Sequence, residues 1–225
     1  MDRDMCCLCS QIAGQKAGDL ISNLLCEEGY IRRVAFETEN FAIVPSLGPI
    51  APGHVLLCPK KHVSSFARLA PEFGRAASGM SAEWDWLSRR LATTLETLYS
   101  APIHRFEHGS GADGSHIACT VDHAHFHFLP ARVDVLAELL GDSIWEATSS
   151  DISSWTHAAG DQEYLYYESY TGAALLAAKQ GRYKSQHMRQ IFARALGGDL
   201  EWNWRTSPKP HIADQMYRDI AQAMG

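Results

Sequence analysis

The feature that most constrains this chain is the run His123-Ala124-His125-Phe126-His127-Phe128-Leu129, in which three histidines alternate with apolar residues before Pro130. The side-chain period of a β-strand is two, so the spacing predicts His123, His125 and His127 on one face and Ala124, Phe126 and Phe128 on the other. The apolar side anchors such a strand in a core, and the three imidazoles line one surface. Neutral imidazole is nucleophilic, titrates near neutral pH and binds metals, so the row supplies a nucleophile, a proton handler and a ligand together. A histidine-rich exposed strand and a purely structural metal cluster are the competing readings, and the strictly apolar reverse face argues against both.

The cysteines carry a second signal. They are Cys6, Cys7, Cys9, Cys26, Cys58 and Cys119, and three of them crowd into four positions. In a reducing compartment such crowding points to metal ligation or redox chemistry before it points to disulfides. Cys6 and Cys9 form a Cys-x-x-Cys pair able to close on one Zn²⁺ from a tight turn. Cys7 leaves the choice of ligands open, and reduced thiols on a frayed terminus are the plain alternative. Cys26 and Cys58 read as core residues.

Around these signals the chain reads as α+β. Residues 30–38 and 41–45 form a hairpin split by Glu39-Asn40, and 54–59 is a further buried strand. From Pro71 to Ser100 the pattern is helical, with Leu87, Leu91, Leu95 and Leu98 forming a stripe that packs on a sheet. Strands follow at 103–107 and 118–129, on either side of a glycine-rich loop at 108–114 that either wraps phosphates with backbone N–H groups or simply turns. Beyond Pro130 come a short helix at 133–140, a strand at 163–168 and helices at 186–196 and 212–224. A chain of 225 residues has room for one sizeable core and a smaller lobe. The expected division is 1–132 as one domain and 133–225 as an extension that packs on or caps the histidine site.

A net charge of −6 with no basic run argues against duplex nucleic acid as the main partner. The longest apolar windows, such as 54–59 and 173–178, fall far short of the roughly 20 residues that cross a bilayer. Residues 1–5 precede cysteines instead of an apolar segment, so a secretory leader is not apparent and a soluble, cytoplasmic protein is expected.

The histidine run matches the signature His-φ-His-φ-His-φ-φ, with φ apolar, at every position. Upstream, Pro52-Gly53-His54-Val55-Leu56-Leu57-Cys58-Pro59-Lys60-Lys61-His62 is similar to the strand that accompanies that signature. Over roughly residues 5–130 the chain therefore resembles the histidine-triad (HIT) proteins. The resemblance implies an antiparallel sheet of about five strands with one long helix, followed by an α/β extension. It also implies homodimers, where the extension leaves that contact open. By the same resemblance, His125 attacks the α-phosphorus of a dinucleoside polyphosphate, nucleoside phosphoramidate or nucleotide sugar, and water resolves the covalent nucleotidyl-histidine. His127 then contacts the transferred phosphate or helps the leaving group. Thr120 offers a hydroxyl to a phosphate oxygen, unless it is an ordinary β-branched strand residue. In zinc-bearing members, and in the similar galactose-1-phosphate uridylyltransferases, the cysteine pair is completed at positions matching His62 and His123. The implied Cys6, Cys9, His62, His123 set is a closed, structural zinc site. The third histidine, replaced by Gln in the uridylyltransferase-like branch, favours a hydrolase over a nucleotidyltransferase or phosphorylase. A zinc-stabilised nucleotide-binding module without turnover is the alternative of another class.

The pattern also departs from the common members. Ser46 stands where an Asp usually holds the ribose hydroxyls, leaving Ser46 as the side chain at the sugar. Ala118-Cys119-Thr120-Val121 replaces Gly-Gln-Ser-Val, and Glu107-His108-Gly109 replaces Asn-Glu-Gly. Ser185-Gln186-His187-Met188-Arg189 and Trp204-Arg205 are similar to a branch with a long C-terminal extension. Gln186 and Arg189, three apart on a helical face, either reach one phosphate or sugar or form a solvated polar face. Glu107 and Asp122 are either partners of the histidines or solvated acids.

Overall fold

A computed structural model describes residues 6–26, 28–111, 123–178, 184–198 and 201–225. The N-terminal arm is helical: α1 (Cys7–Ala13) has Cys6 as its N-cap, and α2 (Leu20–Leu25) is capped by Asp19, whose carboxylate accepts from the Ser22 N–H. The arm leads into β1 (Phe36–Glu37) and β2 (Phe41–Pro45), the expected hairpin, and then β3 (Val55–Pro59). The helix expected from Pro71 to Ser100 is two helices, α3 (Ala70–Phe73) and α4 (Met80–Tyr99). Gly79 separates them at φ +66°, a conformation no helix interior accepts.

The chain continues through β4 (Ile103–Gly109), β5 (Phe126–Pro130), α5 (Leu136–Leu140), β6 (Glu146–Thr148), α6 (Ile152–Ala159), β7 (Tyr164–Glu168), β8 (Ala174–Ala177), α7 (His187–Ala195) and α8 (Pro210–Met224). The class is α+β as expected, but the sheet has eight strands in the order β1-β2-β3-β5-β4-β7-β8-β6, not about five. The additional strands come from residues beyond 132: β7 pairs antiparallel with β4 from Arg105↔Glu168 to Gly109↔Tyr164, and β8 and β6 follow outward. β6 and β8 are three and four residues long, too short for an alternating pattern to show in sequence.

Both faces of the sheet are covered over most of their extent, which explains why β2, β3 and β5 are buried on both sides. On one face Phe126 and Phe128 pack with Phe66, Trp84, Trp155 and Leu87, Leu91 and Leu95 of α4, whereas Leu98, expected in the same stripe, is exposed near the helix end. On the other, α1 covers Ala42, Val44, Leu56 and Cys58 at one end, while α7 and α5 cover Phe106, Leu129 and Tyr167 at the other. Between these two covers the sheet is left open above Leu56, His127 and Phe106. Cys58 is buried as expected, whereas Cys26 is exposed at the C-cap of α2 with φ +53°, because the helix ends there and turns outward.

Glu107 is neither a partner of a histidine nor a solvated acid. It is buried in β4, where its carboxylate accepts the Phe66 N–H at 2.9 Å and the Tyr164 hydroxyl. Asp122 lies outside the described residues. Burial pushes the Glu107 carboxyl up from 4.5 to about 8, against the two hydrogen bonds that favour its charged form. A carboxyl with a raised folded-state pKa stabilises the fold fully below pH 4.5, and that contribution is lost as pH rises through about 8. Urea unfolding should therefore show a slope of stability against pH between pH 5 and pH 8 that is more negative in the parent than in Glu107→Gln, by up to about 1.4 kcal/mol per pH unit, the histidines contributing alike to both. Equal slopes in the two proteins would contradict this.

Candidate active site

The β3–β5 ladder ends at Leu57↔Phe126, and just upstream the Ala124 N–H donates to the Val63 carbonyl instead of a strand partner. Only His127 therefore lies in β5, and the expected single row of three imidazoles divides. His125 and His127 line the open strip of sheet, while His123 is drawn back toward Pro59 and the N-terminal cysteines. The division has a physical cause: the Pro59 carbonyl takes the His123 ring at 2.8 Å, which turns its backbone out of the ladder.

The hydrogen bonds fix the tautomer of each ring in turn. His125 Nδ1 lies 2.7 Å from the His123 carbonyl, which can only accept, so Nδ1 carries the proton and Nε2 keeps its lone pair. The Ile50 N–H donates to His54 Nδ1 at 3.3 Å, so His54 Nε2 carries a proton and gives it to His127 Nδ1 at 2.8 Å. His127 Nε2 is then the protonated, donating nitrogen. Its ring stacks on Phe106 with centroids 4.3 Å apart, and the His125 and His127 centroids are 5.0 Å apart. Burial lowers the pKa of His125, and lowers those of His54 and His127 well below the ordinary imidazole value. The nearby Arg189 guanidinium adds to each shift.

The His125 and His127 rings floor a cleft whose empty space, its open mouth included, is about 850 Å³. One wall is apolar, with Leu8, Leu20, Ile21, Pro45 and Leu47. The opposite wall comes from residues beyond 132, with Gln186, Met188, Arg189 and Trp204. The walls close because Gly48, at φ +60°, admits the Trp204 backbone. A Cβ at residue 48 would stand 2.6 Å from the Trp204 Cα. Arg189 is 4% exposed; it donates to Ser46 Oγ at 3.2 Å, to the Trp202 carbonyl at 2.8 Å and to the Gly48 carbonyl. Burial pulls its pKa down to about 10, which leaves the guanidinium charged at neutral pH. Gln186 is the N-cap of α7; its amide donates to Asn203 Oδ1 at 3.4 Å, and its buried Oε1 has no partner. The structure thus brings His125, His127, Ser46, Gln186 and Arg189 into one cleft. Thr120, like Cys119 and residues 112–114 of the glycine-rich loop, lies outside the described residues.

His123 belongs to a second group. Its Nδ1 lies 3.5 Å from Cys6 Sγ, 3.3 Å from Cys9 Sγ and 3.3 Å from His62 Nδ1, and Cys9 Sγ is 3.2 Å from His62 Nδ1. All four ligand atoms fall within 4.8 Å of one another. Cys6 and Cys9 do not sit on a tight turn but at the N-cap and first turn of α1, where the Cys9 N–H donates to Cys6 Sγ. Because His123 Nε2–H is committed to the Pro59 carbonyl, Nδ1 presents a lone pair to the group. A tetrahedral ion with Zn–S about 2.3 Å and Zn–N about 2.05 Å would set N···N edges of about 3.3 Å and S···N edges of about 3.6 Å. The observed spacings fit that geometry, so the group is suited to hold a metal ion. Cys7 faces the cleft instead, and burial pushes its thiol up to about 11.

Two residues at the site, His108 in the cleft wall and His54 behind His127, were not foreseen as site residues. His54 was visible in the Pro-Gly-His stretch, although only the structure shows its bond to His127. His108 lines the cleft and pairs with Glu163 at 2.8 Å; that pairing joins β4 to the segment before β7 and leaves no local sequence signal.

Comparison with known proteins gives a consistent result. Residues 31–134 match the model of the HIT domain family. The bis(5'-adenosyl)-triphosphatase of Dictyostelium discoideum is 33% identical over 101 residues, covering 44% of this chain and 60% of that protein. The bifunctional bis(5'-adenosyl)-triphosphatase/adenylylsulfatase of Arabidopsis thaliana is 28% identical, covering 45% of this chain and 51% of that one. The chain thus spans between half and three fifths of the curated relatives it matches. Among solved structures, a Zn-bound histidine triad family protein from Mycobacterium smegmatis aligns with TM-score 0.40 and 20% identity, over 58% of this chain and 78% of that one. A histidine triad nucleotide-binding protein from Sulfolobus tokodaii aligns with TM-score 0.36 and 21% identity, over 56% and 68%. Residues 31–134, a little under half of the chain, are matched by the HIT domain model, and over that segment the chain is similar to histidine-triad proteins.

Proposed function

We propose that the chain is a hydrolase of a nucleotide conjugate that works through a covalent nucleotidyl-histidine on His125. One observation carries this reading: the His123 carbonyl holds the proton of His125 on Nδ1, which leaves a bare Nε2 on the wall of the cleft. In the first step the Nε2 lone pair forms a bond to the α-phosphorus and the bond to the leaving oxygen breaks, that oxygen departing with its electron pair and taking up a proton. In the second step a water oxygen bonds to phosphorus, the P–N bond returns its electrons to Nε2, and the water proton is released. His127 Nε2–H donates to a non-bridging oxygen as equatorial charge grows, with His54 behind it holding the tautomer. Ser46, Gln186 and Arg189 bind the rest of the ligand. Residues 1–132 form the catalytic domain and 133–225 the extension that walls the cleft. The names of the two curated relatives support a phosphoanhydride-type substrate. Among the described residues no helix is long and apolar enough to cross a membrane.

In this reading Cys6, Cys9, His62 and His123 hold a structural zinc. The ion has no place on the substrate, since a Cys₂His₂ set closes the tetrahedron. Its contribution is to pin α1 to the segment that carries His125, with the Pro59 carbonyl orienting His123 from behind.

His125→Asn should lower turnover of a dinucleoside triphosphate by roughly three orders of magnitude or more and abolish the acid-labile, radiolabelled adduct, with an unchanged circular dichroism spectrum. A variant as active as the parent would remove the proposed nucleophile. Elemental analysis should find about one zinc per chain, lost in Cys9→Ser together with several degrees of thermal midpoint. A metal-free preparation of full stability would contradict the zinc.

A further inference from the structure

Among the described residues Arg189 is a buried cation without a counter-ion. Its three hydrogen bonds go to a hydroxyl and two carbonyls, all neutral, and no described carboxylate pairs with it. No Asp or Glu among the described residues lines the cleft. A guanidinium has five N–H donors, so two remain for a ligand. Burying an unpaired charge is costly, and a site that keeps one open to a cleft is built for an anion that arrives with the ligand.

The strand register shows which part of a ligand meets it. His127 is level with Leu56, and Leu56 with Val44; the Ser46 N–H bonds the His54 carbonyl one step past the Pro45↔Val55 pair. Ser46 is therefore two strands over from His127 and two residues along, roughly 12 Å away between backbones. Beyond it the cleft turns apolar, at Leu47, Leu20 and Ile21. The order across the cleft is histidines, then Ser46 with Arg189, then an apolar end that suits a base. A nucleotide attacked at its α-phosphorus by His125 and seated with its base at the apolar end places its sugar at Arg189.

We infer that the nucleotide taken by this cleft carries a phosphate on its sugar, held by Arg189 and Ser46, in place of a free vicinal diol. Resting on the proposed function, this names its substrate class. A diol is a set of donors and needs acceptors, which a carboxylate would supply and Arg189 does not. The unpartnered Gln186 Oε1 accepts from the one sugar hydroxyl that remains.

Titration calorimetry on the full chain, with adenosine 5'-monophosphate and with adenosine 2',5'- and 3',5'-bisphosphates, tests this. One bisphosphate should bind at least about tenfold tighter than the monophosphate, the scale of one charge-assisted contact. Ser46→Asp, which sets a carboxylate against Arg189, should bring that ratio to one or below while raising the thermal midpoint, so lost binding is not lost folding. Arg189→Lys, which keeps the charge without the fork, should retain part of the preference. Equal affinities in the parent, or a ratio untouched by Ser46→Asp, would overturn this inference alone. Failure of all three compounds to bind would overturn the nucleotide reading and this inference with it.

Discussion

The site depends on a single hydrogen bond, from His125 Nδ1–H to the carbonyl of His123, two residues back at 2.7 Å. That bond decides which nitrogen of the reactive ring is free. Its acceptor is itself held in place, because the His123 side chain is fixed by the Pro59 carbonyl on one nitrogen and by the cysteine and histidine group on the other. Backbone and side chain of one residue thus join a metal-suited cluster to the proposed nucleophile without any group of the cluster entering the cleft. Such an arrangement locks geometry before substrate arrives, which is how a positioned group lowers a barrier.

The second relay runs from the opposite side. Ile50, His54 and His127 form a directed chain in which each donor forces the next ring to accept, ending in a protonated His127 Nε2. Adjacent imidazoles therefore have opposite roles, one bare and one donating, because different backbone groups stand behind them. The segment beyond residue 132 completes the picture: β7 extends the sheet at β4 and α7 brings Arg189 against Ser46, so the cleft has a second wall that residues 31–134 do not themselves supply.

Much of this was legible in the sequence because it is local. The alternation at 123–129 located the two cleft histidines and their apolar backing, while the Cys-x-x-Cys spacing pointed to Cys6 and Cys9 and only the family resemblance added His62 and His123 to the metal-suited group. What strict alternation could not show is that the strand begins only at Phe126, since a tertiary contact to Pro59 overrides the local period at His123. Contacts between distant segments left no trace at all: Arg189 meets Ser46 across 143 positions, and His108 meets Glu163 across 55. Strands as short as β6 and β8 are equally silent, because β8 pairing with β7, and β6 with β8, makes them strands and their own residues do not. Glu107 was misread for a related reason, its partners Phe66 and Tyr164 being far away in the chain.

The most direct measurement is the tautomer of His125, read by long-range ¹H–¹⁵N correlation on protein labelled at histidine. The account predicts a protonated Nδ1 and a bare Nε2 for His125, beside a His127 protonated on Nε2. A His125 ring protonated on Nε2 would contradict it, since the nitrogen facing the cleft would then have no lone pair to give.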